Sequence, residues 1–352
     1  MPSWSATSHG TPRQALTLHP ARPLPSLPPN SPYLLLRVTH VALNPADLVC
    51  LSLLPAWLPF RRGAVPGLDF AGEVVALGGG VPTEAGLAEG DRVAGAVGLT
   101  GVAAGCGTLE GFVVLHWGLV AKVPVGWGGK EAVGVMGIAG QTACAMARRV
   151  VGGVGGFRKG DGMKGSRVLV NGASGGVGTV LVQICKGIGA EVVGICSGAN
   201  EAMVKGLGVD EVIDYRAHDP LEGHLAERFG EQQFDAVLDC VGNQALYTHS
   251  PRYLKPEGKF INIVGGWSQG VVPFVTNKLR PCFLGGTPRS YELFLLSATG
   301  EAAREAAALV DQGIIKEALI DSVFPMKQAI EAYEKLATGR AKGKVIVEVD
   351  NS

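Results

Sequence analysis

The stretch Val168-Leu-Val-Asn-Gly-Ala-Ser-Gly-Gly-Val-Gly178 constrains this chain more than any other. Its glycines Gly172, Gly175 and Gly178 stand at G-x-x-G-x-x-G spacing. An apolar run precedes them, and the apolar residues Val177, Val180, Leu181, Ile184 and Ile188 that follow share one helical face. A strand, a glycine turn and a helix N-terminus together suit a dinucleotide pyrophosphate. Glycine lets the backbone approach the anion closely, and the free N–H groups of the first helical turn point at it. A glycine turn that binds nothing has the same spacing, but the flanking strand and helix favour the nucleotide. Gly172, Ser174, Gly175, Gly176, Val177 and Gly178 are therefore assigned to the cofactor.

Strand-like runs recur around this loop at intervals of roughly 20 to 25 residues, as βα units require. They cover 167–171, 191–197, 211–215, 234–241, 259–264 and 281–284, and six such strands suit a doubly wound dinucleotide fold. Before about residue 125 the rhythm differs. Short apolar runs broken by glycine follow a strand at 34–43, the pattern of a β-rich module with tight turns. Six prolines between Pro20 and Pro32 keep that stretch extended or looped. Helices are expected over 132–150, 291–312 and 326–338, a linker over 152–165 and a last strand over 343–349. The expected domains are 136–289 for the nucleotide, and 33–135 with 290–352 for catalysis, preceded by the proline-rich segment 1–32.

Composition narrows the function classes. Lys plus Arg equals Asp plus Glu at 31 each, so neither nucleic acid nor an anionic membrane surface would attract the chain. The seven cysteines are scattered without a C-x-x-C pair, which fits a reducing compartment better than a disulfide framework. Met1 to Gly10 lack a secretory signal, and no apolar run is long enough for a membrane span. A cytoplasmic location is expected, with a mitochondrial one left open.

In NAD-binding folds a carboxylate at the end of the second strand holds the ribose 2′-hydroxyl. Here that strand ends Gly194-Ile-Cys-Ser-Gly-Ala-Asn200, with no carboxylate at the tip. Ser197 and Asn200 can donate to a 2′-phosphate, and Tyr215 and Arg216 add a hydroxyl and a positive charge. NADPH is the expected cofactor.

These residues resemble the medium-chain dehydrogenase/reductase superfamily. Ala42-Leu-Asn-Pro-Ala-Asp47 is similar to the N-P-x-D element of quinone oxidoreductases. Val65 to Val75, Gly90-Asp-Arg-Val93, Gln141-Thr-Ala143, the loop from Asn171, Val212-Ile-Asp-Tyr-Arg216 and Gly343-Lys-Val-Ile-Val347 follow in the family's order. The likeness runs from about residue 33 to the C-terminus and is nearest to quinone oxidoreductase-like and enoyl reductase-like members, fungal ones included.

It implies a GroES-like β-rich catalytic domain beside a Rossmann domain with a parallel six-stranded sheet. It also implies that Asn44, Asp47 and Thr142 lie near the nicotinamide ribose, with Asn44 and Asp47 as the catalytic candidates. Val241 and Val264, ending the fourth and fifth strands, would flank the cofactor. Phe283 and Leu284, ending the sixth, would close the nicotinamide pocket, and Lys344 would add a contact. Trp57, Phe60, Trp267 and Phe274 are expected in the walls of an apolar substrate pocket. A homodimer through the sixth strand is expected at the sheet edge.

Two departures bear on chemistry. Zinc members of the superfamily carry a cysteine where this chain has Asn44, and Gly-His-Glu where it has Gly67-Leu68-Asp69. Cys106 stands alone between residues 51 and 143, where a structural zinc lobe needs four cysteines. No metal is expected. Many quinone and enoyl reductases also place a tyrosine shortly after N-P-x-D, and 48–60 contains none, which leaves the proton donor open. The expectation is an NADPH-dependent, zinc-independent reductase of an activated C=C bond in a small hydrophobic substrate. A quinone reductase and a non-catalytic NADPH-binding sensor or scaffold are the alternatives.

Overall fold

The computed structural model describes residues 1–8, 10–53, 63–98, 101–102, 105–152, 157, 159–160, 162–264 and 276–350. Its strands in chain order are β1 (Ser3–Ala6), β2 (Leu16–His19), β3 (Tyr33–Leu43), β4 (Asp69–Leu77), β5 (Arg92–Ala96), β6 (Phe112–His116), β7 (Val120–Lys122), β8 (Arg167–Asn171), β9 (Glu191–Cys196), β10 (Glu211–Asp214), β11 (Phe234–Asp239), β12 (Leu254–Asn262), β13 (Ser290–Leu293), β14 (Ile320–Pro325) and β15 (Lys344–Glu348). The chain divides into two compact units. One is Met1–Gln141 with Ser297–Asp311 and Glu317–Ser352, and the other is Thr142–Leu296 with Gln312–Lys316.

The first unit is GroES-like and β-rich. β3 organises it, with Leu34, Leu36 and Val38 buried and Tyr33 and Arg37 exposed at alternate positions, the alternation of a half-buried strand. β3 pairs antiparallel with β4, β6 and β15. These pairings position a site. Val345 stands opposite Leu43, so Lys344 falls beside Asn44 at the end of β3. The pairing of His40 with Ala71 brings Asp69, at the start of β4, to the same end. Residues 21–28 carry no helix or strand, as their prolines dictate. The β1–β2 hairpin is held by buried Trp4, whose indole N–H donates to the Met326 carbonyl at 2.8 Å.

The second unit is a Rossmann domain. Its sheet is parallel throughout in the order β10-β9-β8-β11-β12-β13. Counted within the unit, that is 3-2-1-4-5-6, and the chain reverses direction across the sheet between β8 and β11. The crevice beyond the carboxyl ends of those two strands is where such folds bind a dinucleotide. Leu169, Val193, Phe234, Val237, Tyr253 and Phe260 fill one side of the sheet.

Several expected elements need correction. The sixth strand lies at Ser290–Leu293, where it pairs with β12, and not at 281–284. Pro281 and Gly285 flank that shorter run, and Gly285 adopts φ +84°, so Cys282–Leu284 closes as a 3-10 turn. The expected helix over 291–312 is this strand followed by the helix Gly300–Asp311. The helix expected over 132–150 is two, Gly129–Met136 and Ile138–Val151. They break at Gly137, where a Cβ atom would stand 2.4 Å from Asp69 Cγ. No helix among the described residues is long and apolar enough to cross a membrane.

Candidate active site

The nucleotide end is built from backbone. Gly172 adopts φ +81°, and a Cβ there would meet the Val241 side chain at 2.8 Å. A Cβ on Gly178 would lie 2.1 Å from the Gly172 carbonyl oxygen, so only glycine lets the helix Gly176–Gly187 seat on the loop. At Gly175, by contrast, the nearest neighbour of a built Cβ is 3.4 Å away. Gly175 is the N-cap and provides no side-chain acceptor. The first-turn N–H groups of Gly176, Val177 and Gly178 are those a helix leaves without an intrahelical partner, free for an anion. A dinucleotide pyrophosphate fits this cradle.

A buried carboxylate that sequence reasoning missed fixes the loops around it. Asp239, ending β11, stands opposite Asn171 and Asn262 on the neighbouring strands. It accepts from Asn171 Nδ2 (2.8 Å) and from the backbone N–H groups of Val241, Gly242 and Asn243 (2.9, 3.0 and 2.8 Å). Burial raises its pKa against the lowering effect of those bonds. Asn262 Oδ1 in turn receives the Val264 N–H at 2.7 Å. Val241 and Val264 are thus placed by the strand ends, and Val241 lies against Gly172. Sequence reasoning passed over Asp239, whose side-chain partners Asn171 and Asn262 are distant along the chain.

At the ribose end, Ser197 follows β9 and makes no side-chain capping bond. Asn200 Nδ2 donates to Ser174 Oγ at 3.0 Å, and Asn200 Oδ1 is buried without a partner among the described residues. The Arg216 Nε–H donates to the Tyr215 hydroxyl at 3.2 Å, with the guanidinium over the ring at 5.5 Å. Asp214, overlooked in the sequence, ends β10 opposite Cys196 and accepts the Arg216 N–H at 2.9 Å. Its Oδ2 stands 2.5 Å from where a Cβ on Gly198 would be, so a carboxylate does lie beside the tip of β9, supplied by the next strand.

The first unit holds a second polar group of residues. Lys344 is buried, and its ammonium donates to Leu43 O (3.1 Å), Asn44 Oδ1 (2.8 Å) and Asp69 Oδ2 (3.2 Å). Asp69, fully buried, also accepts from Asn44 Nδ2 (2.9 Å) and from the Ile138 N–H (2.8 Å). Asp47 Oδ2 accepts the Asn44 N–H at 2.7 Å, and burial pushes this carboxyl group up to about 7. Sequence reasoning named Asn44, Asp47 and Lys344 but missed Asp69, which joins them.

Residues 31–159 match the alcohol dehydrogenase GroES-like domain, and residues 207–347 match the zinc-binding dehydrogenase family. The medium chain reductase pydE of Acremonium sp is 33% identical, covering 99% of each chain. The chain belongs to the medium-chain dehydrogenase/reductase superfamily. Among its relatives, the trans-enoyl reductase poxH of Penicillium oxalicum is 31% identical over 99% of this chain and 98% of its own. A mycobacterial protein solved in complex with NADPH superposes with a TM-score of 0.77 at 25% identity, covering 99% of each chain. Membership makes the protein an oxidoreductase of a family whose reductases bind a nicotinamide cofactor.

Two expectations change in this frame, those for Lys344 and for Phe283 with Leu284. Lys344 spends all three of its N–H donors inside its own unit and has none for a phosphate. Phe283 and Leu284 do not end a strand and are 85% and 57% exposed, since the turn that carries them projects them outward. A zinc ion does not fit the family's metal position. Leu68 offers no donor atom, and the Lys344 ammonium already occupies Asn44 and Asp69. No group of three or more metal-ligating side chains occurs among the described residues. Thr142 is buried in the helix Ile138–Val151. Trp57, Phe60, Trp267 and Phe274 lie outside the described residues.

Proposed function

We propose that this protein is an NADPH-dependent reductase of activated C=C bonds in small hydrophobic substrates, working without zinc. The observation that carries the reading is the buried Lys344 ammonium held by Asn44 and Asp69 where zinc members of the family carry metal ligands. Alcohol oxidation in this fold needs a Lewis acid to ionise the hydroxyl. A conjugated carbonyl needs none, because the charge left by hydride addition spreads into an enolate. The full-length likeness to a trans-enoyl reductase supports the same class.

A nicotinamide dinucleotide bound at the glycine loop supplies the hydride. The N–H groups of Gly176, Val177 and Gly178 hold the pyrophosphate. Ser197, Asn200, Tyr215 and Arg216 receive the 2′-phosphate. If the Asn200 amide turns over, Ser174 Oγ donates to its Oδ1 and its Nδ2 is freed for a phosphate oxygen. Titration calorimetry tests the cofactor assignment. NADPH binding at least tenfold tighter than NADH is expected, and equal or reversed affinities overturn it.

The cytoplasm is the proposed location, since the seven cysteines are scattered along the chain without a C-x-x-C pair. A homodimer is also proposed, through edge strand β13 and the neighbouring exposed Leu279, Phe283 and Leu284. Size-exclusion chromatography should show a dimer that Phe283→Asp converts to monomer; a monomeric wild type refutes it.

A further inference from the structure

Asp239, Asn171 and Asn262 make a buried polar row across three adjacent strands of the Rossmann sheet, with Asp239 in the middle. Five N–H donors converge on its carboxylate. Its Oδ1 accepts from Asn171 Nδ2 and from the Val241 and Gly242 N–H groups, and its Oδ2 accepts from the Asn243 N–H and, at 3.4 Å, from Asn262 Nδ2. None of the five comes from a lysine or an arginine. Only a carboxylate can serve here, because it accepts on both oxygens and donates on neither. An amide of the same shape presents one oxygen and one NH2 group.

Three successive backbone N–H groups turned onto one anion form a nest. This nest lies just beyond the end of β11 and is filled by the chain's own side chain. With the N–H groups facing inward, the turn leaves the Val241 side chain outward, 52% exposed. A Cβ on Gly172 would meet that side chain at 2.8 Å, so Val241 stands over the first glycine of the nucleotide loop. The far end of the turn is fixed as well. Asn243 caps the helix Gln244–Thr248 by accepting the Ala245 and Leu246 N–H groups. An apolar side chain held out beside a phosphate cradle offers a packing surface to a bound dinucleotide.

We propose that Asp239 is a positioning residue for the cofactor: by closing this turn it holds Val241 against the glycine loop as an apolar contact for the nucleotide. Asp239 is itself fully buried and acts only through Val241. The proposal rests on the reading that the glycine loop binds NADPH. In Asp239→Asn the new NH2 group must face donors on one side of the row, so at least one N–H of the turn loses its acceptor and the turn opens.

A double-mutant cycle on NADPH affinity tests this, read by titration calorimetry on variants whose near-UV circular dichroism matches that of the wild type. Val241→Ala should weaken binding by about tenfold, the value of two buried carbon atoms. Asp239→Asn should do the same, because it releases that side chain. If one residue acts through the other, the double variant binds within about twofold of the weaker single variant. Losses that multiply to about a hundredfold overturn the proposal, since the two residues then act independently. Wild-type affinity in a folded Asp239→Asn, or in Val241→Ala, overturns it too. If Asp239→Asn does not fold, Asn171→Ala, which removes one donor to the same carboxylate, takes its place in the cycle with the same non-additivity expected. In each of these outcomes the wild type still binds NADPH and the cofactor reading stands. A wild type that binds neither NADPH nor NADH overturns that reading, and the proposal with it.

Discussion

Replacing Lys344 by methionine separates a structural lysine from a cofactor-binding one. The side chain is 5% exposed and its partner Asp69 is completely buried, so methionine preserves the packed volume and removes only the charge. Removing one member of a buried pair costs about 3–5 kcal/mol, because the other charge is left uncompensated. Asp69 keeps two donors, Asn44 Nδ2 and the Ile138 N–H, which places the cost at about 3 kcal/mol, the low end of that range. For a unit of this size that is a fall of roughly 6–12 °C in the transition that melts the β-rich unit. Differential scanning calorimetry reads it directly. Adding Asp69→Asn should recover part of the loss, since a neutral amide no longer needs the ammonium. NADPH affinity should stay within about twofold of wild type, because every Lys344 donor is already used. A Tm unchanged within 1 °C, or a tenfold loss of NADPH binding in a folded variant, would refute the reasoning.

Other expectations follow from the same geometry. Ser197→Asp puts a carboxylate beside the ribose and should shift the NADPH-to-NADH affinity ratio toward NADH by about tenfold or more, measured by calorimetry; an unchanged ratio removes Ser197 from the phosphate site. Gly178→Ala places a methyl group 2.1 Å from the Gly172 oxygen and should abolish nucleotide binding or soluble expression, whereas Gly175→Ala, where space is open, should keep the fold. The raised pKa of Asp47 also links stability to pH. The protonated form is favoured in the folded state, so its contribution is complete below about pH 4 and is lost as pH rises through 7. A shift from 3.8 to about 7 corresponds to about 4 kcal/mol. Urea titrations from pH 5 to 8 should show the decline in wild type and a shallower one in Asp47→Asn.

What the sequence reveals here follows from the range of the interactions. The strand β8 and the glycine loop are legible because a local apolar run and local backbone demands define them. The parallel sheet is legible from the spacing of its strands. The sixth strand is not. Pro281-Cys-Phe-Leu is as apolar as Ser290-Tyr-Glu-Leu, and only pairing with β12 decides between them. The break at Gly137 is hidden for a similar reason, since it answers to Asp69, a residue far back in the chain. The polar centre was read in parts. Asn44, Asp47 and Lys344 carry family motifs, whereas Asp69 acquires its role from long-range hydrogen bonds and Asp239 joins its own following turn to Asn171 across the sheet. Asp214 shows the limit of reading strand tips one at a time, because the carboxylate beside β9 comes from β10.

The central claim is metal-free reduction of an activated double bond, and the most direct test is NADPH oxidation by purified protein treated with a chelator. A small α,β-unsaturated ketone and a quinone are offered in parallel. Turnover of the enone that survives chelation, with little quinone reduction, is the predicted result. Activity that appears only with added zinc, preference for the quinone, or tight NADPH binding with neither acceptor consumed would contradict it.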